Sequence, residues 1–168
     1  MTDEEAAKQA IYAYARAVDR LDAALLKAAF WPDAHIALGS IYAGPPDGFA
    51  DLAMGFMGMF AATRHDVSNI SLAPTENSIG YEAYVRTWHW QREQGTELVV
   101  LGRYIGRAEC RDGEWKLAEH GELMDWAEER AVDAGWFERN AELEKGKRSA
   151  EDLSYRWLVP GGLICRTG

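Results

Sequence analysis

The feature that most constrains this chain is a run of four segments in which polar and apolar residues alternate. The segments are Asp66–Leu72, Ser78–Gln91, Glu97–Cys110 and Glu114–Trp126. Alternation with a period of two is typical of strands that bury one face. The connecting sequences REQGTE and CRDGE are hairpin signals, and the second contains Asp-Gly. The run therefore predicts a long antiparallel meander.

The residues before the meander predict three helices around one early strand. Apolar residues three or four positions apart indicate an amphipathic first helix, with Thr2 or Asp3 as its N-cap. Asp22 is the expected N-cap of a second helix, and Pro32 is expected to end that helix. The predicted helices are 3–20, Ala23–Phe30 and Gly48–Ala62, the last largely buried, and the early strand is Ala34–Tyr42. Helices on one face of a bent, mostly antiparallel sheet make an α+β fold.

The residues after Trp126 differ in composition from the rest of the chain. They are strongly charged and carry isolated aromatic rings, among them Trp136 and Phe137. About 40 residues are too few for a second hydrophobic core. We therefore expect residues 1–126 to form the domain and residues 127–168 to be an extension that docks on it. Trp136 or Phe137 is expected near the mouth of a pocket, as a tethered lid.

Charge and composition exclude several classes of protein. The formal net charge of −9 argues against nucleic acid as a partner, because phosphate binding needs clustered Lys and Arg. No apolar run has the length of a membrane span, and the acidic start MTDEEAAKQA is unlike a signal peptide, so we expect a cytoplasmic protein. Cys110 and Cys165 lack metal-ligand spacing, and no phosphate or dinucleotide motif is present. We expect neither a metal nor an organic cofactor. The numerous aromatic residues could line a pocket equally well as fill a core or an interface.

Few polar residues occupy positions that suggest chemistry. His65 lies where the third predicted helix gives way to a strand, a position that can face a cavity. His120 lies inside the last strand and needs a polar partner. Asp19, beside the apolar stripe of the first helix, could hold a backbone group or an imidazole, but could equally cap a helix or form a surface ion pair. His35 and His89 are more typical of surface or interface positions.

Four consecutive stretches carry a resemblance to a known family. They are YARAVDRLDAALLKAAFWPDA, IYAGPPDGFADLA, RHDVSN and RAECRDGEWKLAEHGELMDW. In order and spacing the chain resembles the SnoaL-like branch of the nuclear-transport-factor-2-like (NTF2-like) superfamily, from Glu4 to Trp126. That branch includes scytalone dehydratase, bacterial bile-acid dehydratase and hexachlorocyclohexane dehydrochlorinase. The resemblance implies a cone-shaped α+β barrel with an enclosed pocket.

The resemblance also implies which residues form the site. Asp19 and His65 fall on the catalytic Asp-His dyad of the family, and Tyr14 falls on the first-helix tyrosine of the bile-acid dehydratases. The dehydrochlorinase has a lysine at the position of Tyr14, which argues against chloride as the leaving group. His120 falls where many relatives have an arginine, so a fixed charge is replaced by a titratable one. We expect His120, Tyr42 and Trp31 to contact the substrate.

These residues suffice for one class of reaction. An imidazole can accept a carbon-bound proton, a carboxylate can fix its tautomer, and a tyrosine can donate to a leaving hydroxyl or an enolate oxygen. The sequence predicts a cofactor-independent lyase, of the dehydratase type, acting on an aromatic, steroid or polyketide-like compound. The alternatives are an isomerase or polyketide-type cyclase with the same base, or a non-catalytic binding protein. We also expect a homo-oligomer, a trimer before a dimer, with Trp88 or Trp90 near the interface.

Overall fold

The computed structural model describes residues 1–158, so Cys165 lies outside the described residues. No helix in this part of the chain is long and apolar enough to cross a membrane. The elements in chain order are α1 (Asp3–Arg20), α2 (Ala23–Ala28), β1 (Phe30–Leu38), β2 (Tyr42–Gly44), α3 (Pro46–Gly58), β3 (Ala62–Pro74), β4 (Ser78–Gln91), β5 (Thr96–Arg111), β6 (Glu114–Ala131), α4 (Gly135–Arg139) and a 3-10 helix (Leu153–Arg156).

Helix α1 forms where the sequence predicts it. The Thr2 hydroxyl accepts a hydrogen bond from the backbone of Glu5 at 3.2 Å, and the Glu5 carboxylate accepts one from the backbone of Thr2 at 2.8 Å. This reciprocal capping satisfies two amides that a helix start leaves unpaired. The predicted stripe is buried, as Ile11, Tyr14 and Val18 are at most 3% exposed. The helix therefore presents one apolar face to the sheet.

The six strands form one open, mixed sheet in the order β2-β1-β6-β5-β4-β3. Strands β3 to β6 are joined as an antiparallel meander, and β1 pairs in parallel with β6. Helix α1 packs across β3, β5 and β6, and α3 packs against β1. The predicted α+β fold, with helices on a bent and mostly antiparallel sheet, is confirmed.

The boundary between α2 and β1 differs from the prediction. Helix α2 ends at Ala28, and β1 already begins at Phe30. Phe30 is 2% exposed and lies in register with Leu117 of β6, so pairing and burial hold this segment extended. Pro32 is accommodated because the register shifts between Phe30 and His35, where a missing amide costs no ladder hydrogen bond.

Helix α3 is less buried than predicted. It starts at Pro46, ends at Gly58 and buries only one side. Phe56 is 46% exposed, and Met59, just past the helix, is 68% exposed. The prediction that α3 is largely buried is wrong. The helix is apolar in composition, but only one of its sides packs against the rest of the protein.

The chain after β6 first contacts the sheet, at β4, and then contacts the ends of helices α1 and α3. Phe137 of α4 packs edge-on against Trp90, with 5.7 Å between ring centroids, whereas Trp136 is 63% exposed. Neighbouring residues of a strand point to opposite faces, so Phe137 covers the face opposite His89. Neither ring lies beside His65. The expectation that Trp136 or Phe137 lies near the mouth of the pocket is therefore not met.

Candidate active site

The side chains of Asp19 and His65 meet where the last turn of α1 crosses β3. Nδ1 of His65 lies 2.7 Å from Oδ1 of Asp19, and the Thr63 hydroxyl donates to the same oxygen at 2.8 Å. Thr63 and His65 are two positions apart on β3 and therefore share a face. The pair is well covered, since the side chain of His65 is 5% exposed and that of Asp19 is 14% exposed.

The position of β3 at the edge of the sheet explains a third contact. An edge strand leaves alternate backbone amides without a partner strand. The backbone amide of His65 is such a group, and it donates to Oδ2 of Asp19 at 3.0 Å. Asp19 thus accepts three hydrogen bonds, two of them from His65, and both the backbone and the ring of that residue are fixed.

These contacts determine the protonation of Asp19 and the tautomer of His65. Burial alone would raise the pKa of Asp19, but the hydrogen bonds from His65 and Thr63 outweigh it and hold that pKa below its usual value. An ionised carboxylate can only accept. Nδ1 of His65 must therefore carry the proton, which leaves the lone pair of the neutral ring on Nε2.

A second histidine lies beside this pair. The rings of His89 and His65 are 5.6 Å apart and nearly perpendicular, and Phe60 packs on His89 at 4.7 Å. Burial and the neighbouring His65 lower the pKa of His89 to about 4. His89 is therefore neutral near pH 7. Its place in the sequence is more typical of a surface or interface residue, but His89 is only 4% exposed.

A second carboxylate, Glu122, holds the hydroxyl of Tyr14. The hydroxyl donates to Oε1 of Glu122 at 2.5 Å. Burial, reinforced by the charge of Glu122, raises the pKa of Tyr14 well above its ordinary value. Burial also works to raise the pKa of Glu122, but His120 and the Tyr14 hydroxyl outweigh it and lower that pKa. Tyr14 is therefore a neutral donor to an ionised carboxylate.

His120 is covered completely and lies behind Glu122. Its side chain is 0% exposed, and Nδ1 shares a hydrogen bond of 2.8 Å with the Tyr81 hydroxyl. Nε2 has no hydrogen-bond partner among the described residues and lies 3.8 Å from Oε1 of Glu122. That distance is too long for a hydrogen bond. The expected contact between His120 and a substrate oxygen is thus blocked in this arrangement.

Tyr104 packs against two rings of this group. Its ring lies 5.3 Å from that of Tyr14 and 5.1 Å from that of His120. Burial raises its pKa well above the ordinary value, and the negative charges of Glu122 and Asp19 add to the effect. Glu122 is 39% exposed although it pairs in register with the buried Tyr104. Glu122 therefore remains partly open to solvent.

Tyr42 and Trp31 do not join this group. The Tyr42 hydroxyl donates to the carbonyl of Pro45 at 2.5 Å, and its ring packs on Phe49, which in turn stacks on Tyr14. Trp31 follows the inward-facing Phe30 and so points to the opposite face of β1. There it donates to the carbonyl of Glu109 and lies under the charged group of Arg111. The expectation that Trp31 contacts the substrate conflicts with this orientation.

Several residues of the site escaped the sequence analysis. Glu122 and Thr63 each lie two positions from a candidate histidine, so the alternation of a strand could have placed them on the same face. Arg148 of the extension also reaches the site, and no sequence signal identifies it. A groove of about 1190 Å³ has Asp19, Thr63 and His65 in its lining, together with part of the extension. Within residues 1–158, no three His, Cys, Asp or Glu side chains are grouped so that they could share a metal ion.

The fold and the site define a class of protein, an α+β fold in which ionisable side chains meet between the first helix and the sheet. The chain belongs to the SnoaL-like domain family of the NTF2-like superfamily, since the family model matches residues 1–120. None of the curated proteins matches the sequence significantly.

Solved structures share this fold. A protein from Novosphingobium aromaticivorans named after scytalone dehydratase has a TM-score of 0.70 at 18% identity, covering 78% of this chain and 89% of that chain. A type 2 hexachlorocyclohexane dehydrochlorinase gives 0.69 at 24% identity, covering 77% and 90%. The type 3 enzyme from Novosphingobium barchaimii gives 0.69 at 22% identity, covering 77% and 92%. At these identities the likeness establishes the fold.

Proposed function

We propose that this protein is a cofactor-independent lyase that carries out dehydratase-type β-elimination on an apolar, ring-containing small molecule. The observation that carries the proposal is the set of three hydrogen bonds accepted by Asp19. They fix the Nδ1–H tautomer of His65 and so provide Nε2 as a general base. An imidazole in this state can remove a proton from carbon near neutral pH.

The proposed reaction breaks two bonds and forms one double bond. Nε2 of His65 takes a proton from the carbon next to a substrate carbonyl. The electrons of that C–H bond form the new C=C bond, and the hydroxyl on the neighbouring carbon takes the proton back from the imidazolium of His65 and leaves as water. The ionised carboxylate of Asp19 stabilises the imidazolium that forms in the first step.

Tyr14 is proposed to stabilise the developing enolate oxygen or the leaving hydroxyl. Its raised pKa makes it a poor proton donor, but a neutral hydroxyl is a suitable hydrogen-bond donor to an oxyanion. The hydroxyl is now committed to Glu122, so a substrate oxygen must compete with that carboxylate. His120, being covered, is proposed to act on the substrate only through Glu122.

The structural neighbours support a lyase. The three described above are named for enzymes that remove water or hydrogen chloride, and both reactions are eliminations. Because Tyr14 resembles the tyrosine of the dehydratases and not the lysine of the dehydrochlorinase, we propose water as the leaving group.

A panel of cyclic compounds with a hydroxyl β to a carbonyl tests the proposal. Elimination produces a conjugated enone, which absorbs in the near ultraviolet. We expect turnover of at least one class, a loss of roughly 10²–10⁴-fold in kcat for His65→Gln, and no change for His35→Gln, since His35 is an exposed histidine on β1. Normal turnover by a folded His65→Gln variant would contradict the mechanism. Tight binding of ring compounds without turnover, or deuterium exchange without loss of water, would favour the binding protein or the isomerase.

A further inference from the structure

Arg148, in the extension after β6, binds the ends of two helices at once. Its guanidinium donates to the carbonyls of Met57 and Phe60 at 2.7 Å each, where α3 ends. It also donates to the carbonyls of Asp19 at 3.1 Å and Val18 at 3.4 Å, where α1 ends. The last carbonyls of a helix lack partners within the helix and carry its negative dipole end, so a cation with several donors suits this position.

A fifth contact links Arg148 to the candidate base. Its Nη2 donates to the Thr63 hydroxyl at 3.2 Å. A guanidinium has no acceptor, and a hydroxyl has only one hydrogen. The hydrogen of Thr63 is therefore directed to its other neighbour, Oδ1 of Asp19, at 2.8 Å. Donation thus runs in one direction, from Arg148 through Thr63 to Asp19.

We propose that Arg148 is a positioning residue of the Asp19–His65 pair. It acts by joining the ends of α1 and α3 and by directing the Thr63 hydroxyl, so that Asp19 is held as the acceptor for Nδ1 of His65. The role of that pair as a base rests on the proposed function, but the positioning does not. The family match ends at residue 120, so Arg148 lies outside the part of the chain that the family shares. The extension thus supplies a component of the site.

The cost of placing this charge supports the proposal. Burial lowers the pKa of Arg148, although the charge of Asp19 works in the opposite direction. An exposed ion pair carries no such cost, and the neighbouring Lys147 forms one within the extension, with Glu151 at 3.4 Å. Arg148 instead donates its five hydrogen bonds beside the Asp19–His65 pair. A planar guanidinium can serve several acceptors at once, which an ammonium cannot do.

NMR spectroscopy of protein labelled with nitrogen-15 in histidine tests the inference without a substrate. The Nδ1 proton of His65, assigned by its loss in His65→Gln, reports the bond to Asp19, and exchange of the His65 backbone amide reports the second bond. We expect Arg148→Met to remove or broaden the Nδ1 signal and to speed amide exchange about tenfold or more. Arg148→Lys should have a smaller effect, and Lys147→Met none.

Thr63→Val keeps the carbonyl contacts of Arg148 but removes the hydroxyl between Arg148 and Asp19. We expect it to weaken the same Nδ1 signal, so the inference stays testable if Arg148→Met fails to fold. Intact Nδ1 and amide signals in folded Arg148→Met, or in both Arg148→Lys and Thr63→Val, would overturn it. A lower unfolding midpoint with intact signals would mean that Arg148 only stabilises the fold, and would also overturn it. Loss of the signals in a protein that turns over none of the ring compounds would support the positioning role and refute the lyase.

Discussion

His89 should make the free energy of unfolding fall as the pH drops below neutrality. Its folded-state pKa of about 4 lies below the value of roughly 6.5 expected in the unfolded chain. The unfolded state therefore binds a proton first. The stability is complete above about pH 6.5 and is lost as the pH falls towards 4. Because His89 is only 4% exposed, solvent screening does not reduce the effect appreciably.

The magnitude follows from the width of this interval. A difference of about 2.5 pKa units corresponds to roughly 3 kcal/mol over the whole range, and to about 2 kcal/mol between pH 7 and pH 5. A loss of about 2 kcal/mol is a large share of the stability of an ordinary domain, and chemical denaturation measures it readily.

The variant His89→Gln isolates this contribution, because glutamine stays neutral over the whole pH range. Nδ1 of His89 lies 3.4 Å from the carbonyl of Leu98, and a glutamine amide can still donate to that carbonyl. Urea unfolding should show the wild type losing about 2 kcal/mol more than the variant between pH 7 and pH 5. The exposed His35→Gln should behave like the wild type. If wild type and His89→Gln lose stability in parallel, His89 titrates normally and the reasoning fails.

The remaining predictions concern the site and the assembly. Asp19→Asn should lower kcat by roughly 10²–10⁴-fold, because the amide offers a donor where three donors now converge; a threefold effect in steady-state assays would contradict this. Tyr14→Phe should lower kcat by about tenfold or more, because its hydroxyl is the proposed donor to the substrate oxygen; an unchanged kcat in the folded variant would exclude that role. Light scattering should show a homo-oligomer, a trimer before a dimer, and an 18.8 kDa species alone at micromolar concentration would refute it. Trp88 is the better interface candidate, since Phe137 of the same chain already covers Trp90.

The sequence predicted those parts of the molecule that depend on local patterns. The stripe of α1, the N-cap at Asp22 and the meander from β3 to β6 follow from spacing and turn chemistry, and the structure contains them. The start of β1 was misplaced because its conformation depends on pairing with β6, a distant segment. Local preference at Trp31 and Pro32 holds no information about that partner.

In the candidate site, too, some residues could be predicted from the sequence and others could not. The contact between Asp19 and His65 was anticipated from family resemblance, whereas Glu122 could have been inferred from its position two residues after His120. Arg148 could not, because its five acceptors come from the ends of α1 and α3 and from β3. Such a contact depends on how three elements meet. A charged residue in a charged segment otherwise resembles any other solvated side chain.

The parallel pairing of β1 with β6 also governs when the molecule can be completed during synthesis. Ile36 lies in register with His120, and within residues 1–158 the strands that pair with β1 are β2 and β6. A nascent chain can form the β3–β4–β5 hairpins early, but β1 has no place in the sheet until β6 has left the ribosome. Pairing across so much intervening chain is slow, because a long loop must close first. Chains that stall before β6 expose unpaired strand edges, which makes them targets for chaperones and prone to aggregation.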